Sequence, residues 1–230
     1  MGAMTLVQME DDVRWQLGGY DSTQISNTAA DRWLRWAYLH VSRPNIYEHR
    51  ELLTSATVPL VTSDRDYTLA SFATTTDSVN AVALVMNETR GNRLLPMSLR
   101  QIEERARPGG TLMVGRPSHY AIIGPTLYVY PAPNSTHNAD SVRVWYYRKP
   151  AALAASPASE LAEEWDEVIV TGALWRGFRY LNLQDRAEVA KVEFGQLINE
   201  VGDRLRADMQ QDAADRRFEV ETLDYQTESF

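Results

Sequence analysis

The chain has no cysteine, no apolar run approaching the roughly 20 residues that a membrane helix needs, and a shortage of positive charge, with 23 Lys and Arg against 31 Asp and Glu and a formal net charge of -8. Without thiols there is neither a disulfide framework nor a thiolate-held zinc. With an acidic balance, mass electrostatics does not grip DNA phosphates. Several chemical signatures are missing as well. The sequence contains no G-x-x-x-x-G-K-[ST] loop, no G-x-G-x-x-G turn, no G-x-S-x-G elbow and no H-E-x-x-H helix, which removes the usual marks of phosphate cradling, dinucleotide binding, serine esterase and zincin chemistry. The opening Met1-Gly2-Ala3-Met4-Thr5 runs into Glu10, Asp11 and Asp12 without the basic and apolar regions of an export signal, so a soluble protein of a reducing compartment is expected. Asn87-Glu88-Thr89 and Asn134-Ser135-Thr136 then read as chance matches to the glycan triplet in turn-forming sequence.

What is present is 230 residues with 44% hydrophobic content, enough to bury a real core. Leu6, Met9, Val13 and Leu17 recur at three- and four-residue steps and predict a helix that Gly18-Gly19 ends. Asn27 or Thr28 is placed to cap a second helix, striped by Ala30, Trp33, Leu34, Ala37 and Val41 and stopped by Pro44. A third, short helix is expected from Asn45 to Leu53.

From about Ser55 the period changes to two. Thr57 to Val61, Tyr67 to Leu69 and Val79 to Val85 predict strands, being short, β-branched and bounded by Asp, Ser, Asn and Gly. Ser98 can cap a brief helix from Leu99 to Ala106, before Pro108-Gly109-Gly110 makes a loop. The clearest hairpin joins Tyr120–Ile123 to Thr126–Tyr130 through Gly124-Pro125, with Leu127 and Val129 facing inward and Pro131 and Pro133 stopping the second strand. A last strand, Ser141 to Arg148, places Val142, Val144 and Tyr146 on one face and Trp145 and Tyr147 on the other.

Beyond the Ala- and Ser-rich stretch from 151 to 159, Leu161, Trp165, Val168, Ile169, Ala173 and Phe178 favour one helical face. Ala187, Lys191, Phe194, Ile198, Val201, Leu205 and Met209 trace another along a helix of about 25 residues. Residues 212–230 carry six acids against two arginines and read as an extended tail. The expectation is an α+β protein: a helical bundle from 1–53 and 154–211, an inserted antiparallel β domain at 54–153, and an extended C-terminal tail at 212–230.

No catalytic residue, metal site or cofactor is expected. His40, His49, His119 and His137 stand far apart in sequence. The pairs Asp11-Asp12, Glu103-Glu104 and Glu163-Glu164 diverge on a helix and suit solvated first turns, not a two-carboxylate site. The six tryptophans and eleven tyrosines read mostly as core and interface residues, with a sugar- or base-stacking platform as the alternative.

Three stretches together are more specific: Pro117-Ser118-His119-Tyr120-Ala121-Ile122-Ile123-Gly124, then Leu127 to Pro133, then Val144-Trp145-Tyr146-Tyr147-Arg148-Lys149-Pro150-Ala151-Ala152-Leu153. This pattern resembles that of tailed-bacteriophage head-to-tail connector proteins, also called adaptors. The likeness extends to an opening helical segment bearing Trp33 and Trp36, a Leu95-Pro96 step before a short helix, and Leu161-Ala162-Glu163-Glu164-Trp165 leading into a helix with Ala173 and Tyr180. It covers residues 5 to 205 in order of elements and only the central hairpin at motif level.

The resemblance implies a structural virion protein with no reaction to perform. It would form a ring of identical subunits, commonly twelve, beneath the portal in the neck between capsid and tail, assembled in the host cytoplasm. Its partners would be itself, the portal, downstream neck or tail proteins and translocating double-stranded DNA, with no membrane. Arg216, Arg217, Phe218, Val220, Leu223, Tyr225 and Phe230 are the candidate anchors of the tail on a partner. Alternatives are another neck or tail component, of stopper or tail-tube type, and a carbohydrate-binding β module.

Overall fold

A computed structural model describes residues 3–69, 79–106, 111–155 and 158–227, with the backbone alone at 79 and from 209 onward. The chain is α+β and divides into two compact units: Met1–Val41 together with Ala152–Phe230, and the continuous stretch Ser42–Ala151. The loop expected at Pro108-Gly109-Gly110 lies outside the described residues.

The first unit is helical. Helix α1 (Leu6–Gly18) starts in a capping box, Thr5 accepting from the Gln8 amide while the Gln8 side chain accepts from the Thr5 amide, and ends on Gly19 in the left-handed region at φ 76°. Helix α2 (Asn27–Val41) is capped one residue earlier than expected: Ser26 Oγ accepts from the Ala29 amide at 3.3 Å. Asn27 instead accepts from Arg14, a buried guanidinium that also donates to the Ile25 carbonyl and pairs with Glu10 and Asp11. The third helix expected from Asn45 reduces to a single 3-10 turn, Arg50–Leu52, because the chain enters a strand at Leu53.

Helix α4 (Trp165–Tyr180) departs furthest from the one-sided reading of the sequence, since every residue from Val168 to Leu174 is buried. Consecutive buried positions cover the full circumference of a helix. α1, α2 and α5 (Gln184–Thr227) all pack against it. Two glycines admit the neighbours. A Cβ on Gly172 would stand 2.8 Å from Ala37 Cβ and 2.7 Å from a Phe194 ring carbon, and one on Gly177 would stand 2.8 Å from Leu17 Cδ1.

Helix α5 corrects two expectations at once. It runs 44 residues in place of about 25, and the stretch from 212, expected to be extended, continues it through Thr227. No glycine or proline interrupts the chain after Gly202, and Asp212 and Arg216 stand at the helix-supporting four-residue step. The low apolar content that suggested extension limits what the helix can bury; it does not oppose helix formation.

The second unit is built of sheets. β1 (Leu53–Pro59), β3 (Val79–Asn87), β4 (Asn92–Arg93) and β10 (Ser141–Arg148) form one in the order β1-β10-β3-β4. β2 (Asp66–Thr68), β5 (Leu95–Pro96), β7 (His119–Ile123) and β8 (Thr126–Tyr130) form another in the order β2-β8-β7-β5. Helix α3 (Leu99–Ala106) packs on β7 and β8, and Ser98 caps it in a box with Gln101. β10 is central, antiparallel to β1 (Ala56 opposite Val144) and to β3 (Val144 opposite Val85). Its Val142, Val144 and Tyr146 join Leu127 and Val129 of β8 in one core. Tyr67 belongs to that core: its hydroxyl accepts from the Val61 amide and shares its one proton between the Val61 and Asp64 carbonyls, each 3.1 Å away, and burial pushes its pKa up to about 12.

Pro131 ends β8, yet Pro133 does not end strand structure. It lies in β9 (Ala132–Pro133), parallel to β6 (Val114–Gly115), where the ladder draws on the amides of Ala132 and Asn134 to either side of it. Pro96 in β5 does the same against β7, with Leu95 and Met97 donating. A proline costs nothing where the ladder asks for no N–H.

Two buried aspartates hold non-local joins and carry opposite pKa shifts. Asp140, 3% exposed, accepts from Asn87 at 3.1 Å, Arg90 at 3.0 Å and His137 at 2.8 Å. Burial works to raise its carboxyl, but those hydrogen bonds and the Arg90 charge outweigh it and hold the pKa below the ordinary 3.8. Asp166 accepts from the Met4 amide at 2.7 Å and from Ser159 Oγ at 3.2 Å, fixing the N-terminal segment to the start of α4. There burial prevails, and the pKa rises above 3.8.

Two outcomes are expected. Gly172→Ala destabilises the protein by about 1–2 kcal/mol in urea titrations, the overpacking against Ala37 exceeding the helix-propensity gain, while Gly177→Ala, which meets only the movable end of Leu17, costs less. A depressed carboxyl stabilises above its unfolded pKa and loses that contribution as pH falls; a raised one stabilises below its unfolded pKa and loses it as pH rises. The Tm advantage of wild type over Asp140→Asn therefore grows from about pH 3 to pH 6, and that over Asp166→Asn shrinks across the same range.

Candidate functional site

The residues singled out in the sequence as tail anchors fall on the far end of α5. Positions 216, 217, 218, 220, 223 and 225 lie on its helical backbone, and Phe230 lies outside the described residues. At about 100° per residue, positions 218 and 225 share one helix face while 220 and 223 share the opposite one, so the apolar positions do not make a single stripe. The acidic pairs are accounted for locally. Asp11 pairs with Arg14 at 2.8 Å, Glu103 with Arg65 at 3.2 Å and Glu104 with Arg100 at 2.8 Å, while Glu163 is exposed and Glu164 half-buried. Among the described residues no group of three His, Cys, Asp or Glu could hold a metal ion. His137 faces a carboxylate three residues on, Asp140, and that pair belongs to the buried network with Asn87 and Arg90.

The helical unit carries a feature that the sequence reading passed over. Trp33 and Trp36 of α2 meet Trp175, Arg176 and Tyr180 of α4. The Trp36 ring lies edge-on to Trp175 at 5.1 Å, Trp33 packs on Tyr180 at 5.5 Å, and Phe194 of α5 closes the back of the cluster, 6.2 Å from Trp36 and 5.6 Å from His40. The Arg176 guanidinium lies 4.0 Å above the Trp36 ring, close enough for a strong cation–π contact. In front of this wall is a cavity of about 470 Å³ lined by Arg32, Trp33, Trp36, Arg176, Arg179 and Tyr180. Its charge is of one sign. Burial, and after it the neighbouring Arg179, lowers the Arg176 pKa from its ordinary value. The signal was local: Arg32-Trp33-Leu34-Arg35-Trp36 and Trp175-Arg176-Gly177-Phe178-Arg179-Tyr180 each interleave arginine with aromatics.

A second cavity of about 370 Å³ lies among α1, α4 and α5, lined by Gln16, Leu174, Phe178, Arg186, Val189 and Glu193 among others. Around the same helices Trp15 is 76% exposed, Val189 68% and Tyr180 63%. In the sheet unit Leu95, Met113, Val114 and Ile123 are exposed as well. Large apolar side chains left in water on both units suit a protein whose surfaces are covered in an assembly.

Comparison with known proteins bears on what these surfaces belong to. No curated protein matches the chain. The model of one family, described as SU10 adaptor protein, matches residues 4–218, taking in both units and all but the end of α5. The chain belongs to the SU10 adaptor protein family and is a structural adaptor of the phage virion.

Proposed function

We propose that the protein is the head-to-tail adaptor of a tailed phage, assembling in the virion neck as a closed ring of identical subunits, twelve in number, that docks beneath the portal and surrounds the path of the DNA. The observation that carries this reading is the family match over residues 4–218. Two features of the molecule support it. Subunits in a ring meet through two different, complementary surfaces that close by rotation, and the chain offers distinct candidates: the arginine-aromatic cavity and the exposed apolar side chains of α1 and α5. The net charge of -8 suits a wall past which DNA slides without being held.

In this reading the C-terminal part of α5, with Arg216, Arg217, Phe218, Val220, Leu223, Tyr225 and Phe230, serves as the connecting segment that reaches a partner. Its helical backbone sets positions 218 and 225 on one face, which a groove of the partner would receive. Downstream neck or tail proteins would contact the opposite side of the ring.

Electron microscopy of the purified protein, alone and mixed with portal, tests the ring: closed collars seated on the portal are expected, and a chain that stays monomeric in both samples overturns the reading. Removing residues 213–230 is expected to abolish docking to portal-filled capsids while leaving circular dichroism of the remaining helices intact. Unchanged docking of the truncated protein sinks the role of the connecting segment.

A further inference from the structure

We propose that the arginine-aromatic cavity is the receptor for the acidic C-terminal segment of a second copy of this chain, a contact that rests on the ring reading and specifies one of its joints. The cavity is lined by three arginines and three aromatic residues and by no acid. Among the described residues Arg32, Arg176 and Arg179 have no carboxylate partner, and the buried Nε of Arg176 and the indole N–H of Trp175 have no acceptor. In a chain with eight more acids than bases, a cluster of unpaired guanidinium groups is a local excess that a carboxylate would relieve, by charge and by paired N–H donors.

The occupant is set by charge and by reach. Residues 218–230 hold Glu219, Glu221, Asp224 and Glu228 with no Lys or Arg, and they interleave these acids with Phe218, Tyr225 and Phe230, which match aromatic walls. The same subunit cannot supply them. Phe194 of α5 packs against Trp36 of the cavity wall, 6.2 Å between ring centroids, and α5 continues from there as unbroken helix. Glu219 is 25 residues further on, so at 1.5 Å per residue the acidic segment begins about 37 Å away along the helix axis. A rigid rod cannot fold back on its own base. A neighbour's segment can arrive, and cavity and segment, being different surfaces, make the head-to-tail contact that a ring requires.

The test uses a fluorescein-labelled peptide of residues 218–230 titrated into the full-length protein and followed by anisotropy. Saturable binding is expected. It should weaken about tenfold for the Arg32→Gln, Arg179→Gln double variant, whose surface positions leave the fold intact by circular dichroism. A peptide with its four acids changed to amides should weaken to the same extent, and raising ionic strength from about 0.05 to about 0.5 M should weaken binding severalfold. Equal binding by the double variant, or by the amide peptide, overturns the inference. So does capture of the peptide by purified portal when the adaptor alone does not bind it. Ring assembly is scored in parallel by mass photometry with portal. Rings without peptide binding refute the cavity's role and leave the adaptor reading standing, whereas peptide binding without rings does the reverse.

Discussion

A helical stretch that is buried on every side can face water on none, and residues 168–174 of α4 set that requirement for the helical unit. From Val168 to Leu174 α4 offers no exposed face, so it needs neighbours around its whole girth. Those neighbours come from both ends of the sequence, α1 and α2 from the first 41 residues and α5 from the last. Glycine at 172 and 177 is the steric condition for this enclosure, because each gives up a side chain where another helix or its leucine must come within contact distance. Two polar groups drawn in by the packing are matched: Asp166 holds the Met4 amide, and Arg14 satisfies the Ile25 carbonyl between α1 and α2.

The sheet unit solves a different problem, that of closing short strands without leaving backbone unpaired. Two of its proline-containing pairings, β5 on β7 and β6 with β9, are only two residues long, and both draw their amides from residues beside the proline. The Asn87, Arg90, His137 and Asp140 network then ties the end of β3 to the turn before β10. The pairings and the Asn87–Asp140 bond join residues that stand far apart in the sequence.

Elements specified by adjacent residues were legible in the sequence. The Thr5 to Gly19 helix, the Gly124-Pro125 hairpin and the alternation in β10 each carry their start, stop and period within a few residues. What depends on distant partners was not. One-sided periodicity in α4 could not reveal that three helices surround it, and the prolines at 96 and 133 could not show which amides a parallel neighbour would use. Sparse apolar residues in the tail do not amount to a lack of structure, because an uninterrupted run of helix-compatible residues extends the helix already begun upstream. The arginine-aromatic cavity joins positions 32–36 to 176–180, a pairing that only the packing of α2 on α4 creates, although the two similar arginine-aromatic strings were there to be compared.

The continuity of α5 adds a constraint of phase to one of distance. Because each helical residue both advances the chain by about 1.5 Å and turns it by about 100°, whatever the far end presents is aimed by the count of residues between it and Phe194. An inserted residue would swing that surface more than a quarter turn around the axis while moving it hardly at all, whereas an inserted heptad would lengthen the rod by about two turns and nearly restore its bearing. Natural length variation among chains of this design should therefore favour steps of seven over steps of one.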